Sequence, residues 1–136
     1  MEKSRIAVIG AGAIGGITAA LMAEKGYDVW LVCKHMEIAD LANGRGLHVR
    51  GYCGEHTVPV HSVAAVEELK DSFDLCMIAT KAYDMPECAK AMLPLLREDS
   101  LVVSMQNGIC TDALAAIVGR ERTVGCVIGW LSLIHI

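Results

Sequence analysis

The amino-acid sequence predicts an α/β fold: a parallel sheet wound in both directions, with helices on both faces. Three observations carry this. Short apolar runs at residues 6–9, 29–33, 73–79 and 101–105 recur between segments of helical pattern. These runs are almost wholly apolar instead of alternating, the pattern of strands buried on both faces of a parallel sheet. The first run passes directly into Gly10-Ala11-Gly12-Ala13-Ile14-Gly15, a glycine-spaced turn between strand and helix. Strand–helix alternation of this kind needs right-handed crossovers, which a doubly wound sheet provides.

Residues 6–9 form the first strand. A helix over 13–25 follows, with an apolar face of Ile14, Ile17, Leu21 and Met22 and with Gly26 closing its end. Residues 29–33 are the second strand. A short helical segment over 36–42 stops at Asn43-Gly44-Arg45-Gly46, after which 47–50 and 57–60 read as short strands of a small β excursion. Residues 64–70 read as a short helix and 73–79 as the next buried strand. Pro86 suits the first turn of a helix reaching about residue 96, whose end Pro94 bends or shortens. Residues 101–105 make another strand. Thr111-Asp112 offers an N-cap to a helix over 113–118, and 123–128 reads as a further core strand.

With 136 residues the chain is expected to form one domain, large enough for a core and too short for a complete two-domain dehydrogenase. Hydrophobic residues make up 54% and charged residues 21%, which predicts surface intended for a partner or a further lobe. The net charge of −4 is spread along the chain, so neither nucleic acid nor an anionic membrane surface is an expected partner. The basic start followed by small and apolar residues mimics a secretory leader. Glycine spacing accounts for those small residues better, and no apolar run is long enough to span a bilayer, so a cytoplasmic protein is expected. Six cysteines (33, 53, 76, 88, 110 and 126) include no C-x-x-C pair and read as small hydrophobes with free thiols. Cys53, His56 and His61 lie close in sequence, but no second ligand pair follows, and a polar loop explains them without a metal.

In open α/β sheets ligands bind beyond the carboxyl ends of the strands, so polar residues there are the candidates for chemistry. In the glycine turn, Gly10 permits the sharp bend. Gly12 lets backbone amides approach a pyrophosphate, and Gly15 allows close packing of helix on strand. The helix that follows directs its amides and its dipole at an anion. At the end of the second strand, an NAD-specific site would place an acid on the adenosine 2′-hydroxyl. The sequence has Val32-Cys33-Lys34-His35 and no acid before Glu37, so Lys34 fits a 2′-phosphate and NADP over NAD, against the plainer reading of a solvated lysine. Thr80-Lys81 follows the strand over 73–79. Lys81 can reach over the sheet edge to cofactor or anionic substrate, or can simply snorkel into water. Asn107, in Gln106-Asn107-Gly108, offers a donor and an acceptor to a carboxamide or hydroxy-acid oxygen, and is equally a strong turn former.

Taken together these motifs resemble the N-terminal domain of the ketopantoate reductase (2-dehydropantoate 2-reductase) family over about residues 5–130. The resemblance rests on Gly10-Ala11-Gly12-Ala13-Ile14-Gly15, Leu31-Val32-Cys33-Lys34, Thr80-Lys81-Ala82-Tyr83-Asp84 and Gln106-Asn107-Gly108. It implies a Rossmann-type dinucleotide-binding domain over 1–130 and NADPH-dependent reduction of the 2-keto acid 2-dehydropantoate in pantothenate synthesis. Gly10, Ala11, Gly12, Ala13, Ile14, Gly15, Lys34, Lys81 and Asn107 would bind the cofactor, with Lys81 and Asn107 also facing substrate. The proton donor of the family is a lysine of a helical C-terminal domain, aided by a glutamate, so no catalytic acid is expected in this chain. Residues 131–136, Leu-Ser-Leu-Ile-His-Ile, depart from the family pattern and are expected to mark a truncation. Val127, Ile128, Trp130, Leu131 and Ile134 would then seek burial between chains, giving a homo-oligomer. Two other readings remain at this stage: another 2-oxo or hydroxy-acid dehydrogenase of opine or glycerol-phosphate type, and a non-enzymatic nucleotide sensor.

Overall fold

The computed structural model describes residues 4–51, 54–106 and 110–126. Along the chain come β1 (Arg5–Ile9), α1 (Ala13–Glu24), β2 (Asp28–Val32), α2 (Met36–Arg45), β3 (Leu47–Gly51), β4 (Gly54–Val58) and β5 (His61–Val63). Then follow β6 (Phe73–Ile78), α3 (Met85–Met92), β7 (Leu96–Ser104), α4 (Thr111–Val118) and β8 (Thr123–Gly125). Among the described residues the main sheet has six strands in the order β5-β2-β1-β6-β7-β8. All of its pairings are parallel. The chain therefore winds outward from β1 to one edge, returns to β6 and winds outward again, which is the Rossmann order. The switch point lies between β1 and β6.

Strand alternation divides the interior into two cores. Ile6, Val8, Val29 and Leu31 pack with Ala19 of α1 and Ala39 and Ala42 of α2 on one face. Ala7, Ile9, Phe73, Cys76 and Ile78 pack with residues of α3 and α4 on the other, including Met85, Met92 and Leu114. The predicted double winding and the two-sided burial of the strands are both observed.

Several local expectations are corrected. The buried face of α1 consists of Gly15, Ala19 and Ala20, whereas Ile14, Ile17, Leu21 and Met22 are half-buried. A helix that starts at the sheet edge on a glycine turn lies too close to the strands for large side chains, which move to its flanks. The helix predicted over 64–70 is one 3-10 turn, Val66–Glu68. Before it, β5 pairs parallel with β2 and forms the sheet edge, a three-residue strand not foreseen. The β excursion is a hairpin, β3 antiparallel to β4, whose second strand begins at Gly54. Pro94 does end α3, which gives way after Met92 to a 3-10 turn at Leu93–Leu95. Thr111 is not a cap: it is the first residue of α4, whose N-cap Cys110 makes no side-chain capping bond. The final strand runs Thr123–Gly125, and residues 127 and 128 of the predicted strand lie outside the described residues.

The start of β7 was also missed. It begins at Leu96, and its register against β6 jumps from Phe73 opposite Leu96 to Leu75 opposite Leu101. The inserted corner is stabilised by Ser100, 1% exposed, whose hydroxyl donates to the Phe73 carbonyl at 2.7 Å and accepts the Arg97 N–H at 2.7 Å. Replacing Ser100 by alanine strands both backbone groups. We expect Ser100→Ala to lower unfolding free energy by about 1–3 kcal/mol, read by urea denaturation.

Candidate functional site

The glycine turn stands at the carboxyl end of β1, beside the switch point. Gly10 has φ +110° and donates its N–H to the Val32 carbonyl at 2.9 Å, tying the turn to the end of β2. A Cβ on Gly10 would stand 2.8 Å from the Ala79 carbonyl oxygen, and one on Gly15 would stand 1.8 Å from the Gly10 carbonyl oxygen. Both glycines are therefore required by the protein's own packing. Gly12 is different. It is exposed, its φ of −69° suits any residue, and a Cβ there would meet nothing within 4 Å. Folding gives no reason for glycine at this position, whereas close approach of a ligand to the backbone does.

Helix α1 opens at this point without a cap. Its N-cap is Gly12, no side chain bonds its first amides, and its first turn holds no acid. The earliest helical bond runs from Gly16 N–H to the Gly12 carbonyl at 2.8 Å, so the preceding amides, including those of Ala13, Ile14 and Gly15, lack an intrahelical acceptor. Ala11 is half-buried beneath the turn and packs at the edge of the α1 core. The donors and the positive end of the dipole are thus presented at a surface shaped for an anion. These features fit the pyrophosphate of a dinucleotide.

On one side of the turn a crevice of ≈ 300 Å³ crosses the carboxyl ends of β1, β2, β5 and β6, lined among others by Gly10, Lys34, Ala65 and Thr80. Lys34 is exposed and immediately precedes His35, the N-cap of α2. A cation beside a helix N-terminus opposes the dipole, so helix stability does not explain it. Sequence reasoning missed that Glu67, Asp84 and Glu87 line the same crevice. They come from the turn after β5 and from the N-cap and first turn of α3, 30 or more positions from Lys34, and no local pattern joins them. Burial, followed by the charges of Asp84, Glu87 and Glu67, pushes the Cys88 thiol up, so it stays protonated at neutral pH. On the other side of the turn a cleft of ≈ 400 Å³ separates Gly12, Ala13 and Ile17 from the β3–β4 hairpin, with the exposed Arg50 at its edge.

Lys81 is exposed beyond the end of β6 and is the N-cap of a 3-10 turn, Ala82–Asp84. The ammonium groups of Lys34 and Lys81 have no ion-pair partner among the described residues. Asn107 lies outside the described residues, as do Cys53 and the apolar residues from Val127 onward. His56 hydrogen-bonds Glu24 of α1 at 2.7 Å, and the His61 ring stacks on Trp30 with centroids 4.6 Å apart. Among the described residues no helix is long and apolar enough to cross a membrane.

A family model described as "Ketopantoate reductase PanE/ApbA" matches residues 6–133. The chain belongs to the ketopantoate reductase family. It is 39% identical over 108 residues to the 2-dehydropantoate 2-reductase of Mesorhizobium japonicum, covering 77% of this chain and 32% of that one. It is 35% identical over 105 residues to the enzyme of the same name from Pyrococcus abyssi, covering 77% of this chain and 33% of the other. The crystal structure of 2-dehydropantoate 2-reductase from Geobacter metallireducens superposes with a TM-score of 0.77 at 34% identity, over 89% of this chain and 40% of that one. The chain thus spans about a third of the length of the curated relatives it matches. Membership of the ketopantoate reductase family makes the chain part of an oxidoreductase family, and its six-stranded sheet has the fold that its relatives share.

Proposed function

We propose that this chain is the NADPH-binding part of a 2-dehydropantoate 2-reductase. The uncapped start of α1 at Gly12 would hold the pyrophosphate and Lys34 the 2′-phosphate, with Lys81 and Asn107 the residues that would bind the nicotinamide and the keto acid. The observation that carries this is Gly12: an open, unstrained glycine at the N-cap of a helix with no side-chain cap, located at the switch point of the sheet. When bound, the dinucleotide supplies a hydride to the 2-keto carbon of 2-dehydropantoate, yielding pantoate for pantothenate synthesis. The chain's own residues bind and orient. Amides of the first turn of α1 hold the phosphates, and the Lys81 ammonium offers a charge-assisted hydrogen bond to the substrate carboxylate or the developing alkoxide. The acid that completes the reduction is, on the family resemblance, a lysine of the C-terminal domain. A cytoplasmic location and self-association through Val127, Ile128, Trp130, Leu131 and Ile134 belong to the same reading.

Selectivity for the 2′-phosphate rests on Lys34 against three carboxylates in one crevice. Direct pairing at Lys34 outweighs the solvent-screened repulsion of Glu67, Asp84 and Glu87. Fluorescence titration is therefore expected to give tighter binding of NADPH than of NADH. Lys34→Ala should weaken NADPH roughly ten- to hundredfold, the worth of one charge-assisted hydrogen bond, and leave NADH nearly unchanged. Equal affinities of the parent chain for the two nucleotides would overturn the NADP assignment. No binding of either would overturn the reading as a whole.

A further inference from the structure

The side chain of Gln106 acts as one more rung of the parallel sheet, added where the ladder between β6 and β7 ends. The last backbone pair of that ladder is Ile78 opposite Ser104. Beyond it, Gln106 Nε2 donates to the Ile78 carbonyl at 3.1 Å and to the Thr80 carbonyl at 3.0 Å. Its Oε1 accepts the hydroxyl of Ser104 at 2.5 Å, and Ser104 is 1% exposed. Both amide hydrogens are thus used on carbonyls. The reverse orientation would turn Oε1 onto two carbonyl oxygens, so the neighbours fix the amide in one sense.

A carboxamide committed in this way has little left to offer a ligand. Its effect is on the chain that it holds. The Thr80 carbonyl is drawn back toward β7, and the next residue, Lys81, leaves in an extended conformation (φ −67°, ψ 153°) before the 3-10 turn of Ala82–Asp84. Thr80 lines the nucleotide crevice, and Lys81, exposed, is the next residue along the chain. Ala79 is anchored independently through its N–H to the Ile9 carbonyl at 2.8 Å, and the Asp84 N–H bonds the Lys81 carbonyl at 3.0 Å. Between these two anchors the Thr80 hydroxyl donates to the neighbouring Lys81 carbonyl at 3.2 Å, and Gln106 is the side chain that ties the exit from β6 to β7.

We infer that Gln106 is a positioning residue: its amide bridges the ends of β6 and β7 and thereby sets where the chain carries Lys81 as it passes from Thr80, at the crevice, into the 3-10 turn. This rests on the proposed NADPH site for its functional consequence and not for its structural part. The two are tested separately. Gln106→Met keeps the length and removes all three bonds, and Gln106→Glu replaces both donors by a carboxylate set against two carbonyls. Hydrogen exchange read by mass spectrometry should be faster in the variants over peptides covering 79–84 and unchanged in β1, β2 and α1. Unchanged exchange over 79–84 in folded variants overturns the inference.

The functional half is read by a double-mutant cycle on NADPH affinity with Lys81→Ala. If Gln106 works through Lys81, Gln106→Met weakens NADPH by about the same factor as Lys81→Ala, roughly tenfold, and the double variant loses little more than either single one. A double variant whose loss is the product of the two single losses, or a Gln106→Met chain that binds as the parent does, shows that Gln106 does not act through Lys81. A parent chain that fails to bind NADPH removes the cofactor site instead, and the exchange comparison then decides for or against Gln106 alone.

Discussion

Gly15→Ala should cost the protein its fold. In an ordinary helix interior, alanine is preferred over glycine by up to about 1 kcal/mol, so propensity alone gives the opposite sign. Here the added methyl carbon would sit 1.8 Å from the Gly10 carbonyl oxygen and 3.2 Å from the Ala79 Cβ. The first obstacle is backbone, held in turn by the Gly10 N–H bond to Val32, so no side-chain rotation relieves the clash. Relief requires α1 to lift from β1 and β6, which opens the cores on which the domain depends. We expect a loss above about 4 kcal/mol, a large share of the stability of a domain of this size, seen as loss of cooperative unfolding in circular dichroism. The neighbouring Gly16 is the control. A Cβ there would meet its nearest atom at 3.8 Å, so Gly16→Ala should instead stabilise by roughly 0.5–1 kcal/mol. A stable Gly15→Ala chain would show that the turn can be rebuilt without close packing.

Gly12→Asp should separate stability from binding with opposite signs. The position is already extended, at φ −69° and ψ −173°, and open, so the side chain enters without strain. An aspartate at an N-cap accepts one of the idle amides and places negative charge at the positive end of the dipole, gaining a few tenths to about 1 kcal/mol. The same carboxylate occupies the donors a pyrophosphate would use and repels it. NADPH affinity should fall on the order of a hundredfold or more while the melting temperature holds or rises. A variant that keeps nucleotide affinity would remove the α1 amides from the site.

The strands and the glycine turn were legible because their signals are local and strong. Apolar runs such as Ile6–Ile9, alternating with helical segments, are typical of strands buried on both faces of a parallel sheet, and a glycine triplet between strand and helix has few other uses. Lys34 and Lys81 stand out as candidates for the same reason, each following a recognisable strand, and both are exposed. What was missed depends on distant chain segments. The edge strand His61–Val63 is too short to carry periodicity and exists because β2 offers it a partner. The corner at Arg97–Ser100 reads as polar loop, yet side-chain bonds reach from it to Ser72, Phe73 and Asp74. Gln106 looked like part of a turn, and its three partners are the last residues of β6 and β7 and Thr80 just beyond β6. The carboxylates facing Lys34 are likewise gathered only by the fold.

The parallel sheet also dictates an order of events during synthesis. Strand β1 is made first but lies in the middle, with Ile6 opposite Val29 on one side and opposite Leu75 on the other. A chain emerging from the ribosome can cover the first edge early, while the second stays open until Phe73–Ile78 have been made and have travelled back across the sheet. With no hairpin joining any two of its described strands, nucleation must wait for distant contacts, and folding of this sheet should be slow. Until then the unpaired backbone edge of Ile6–Ile9, carrying apolar side chains on both faces, is open to wrong pairing and in need of protection by a chaperone.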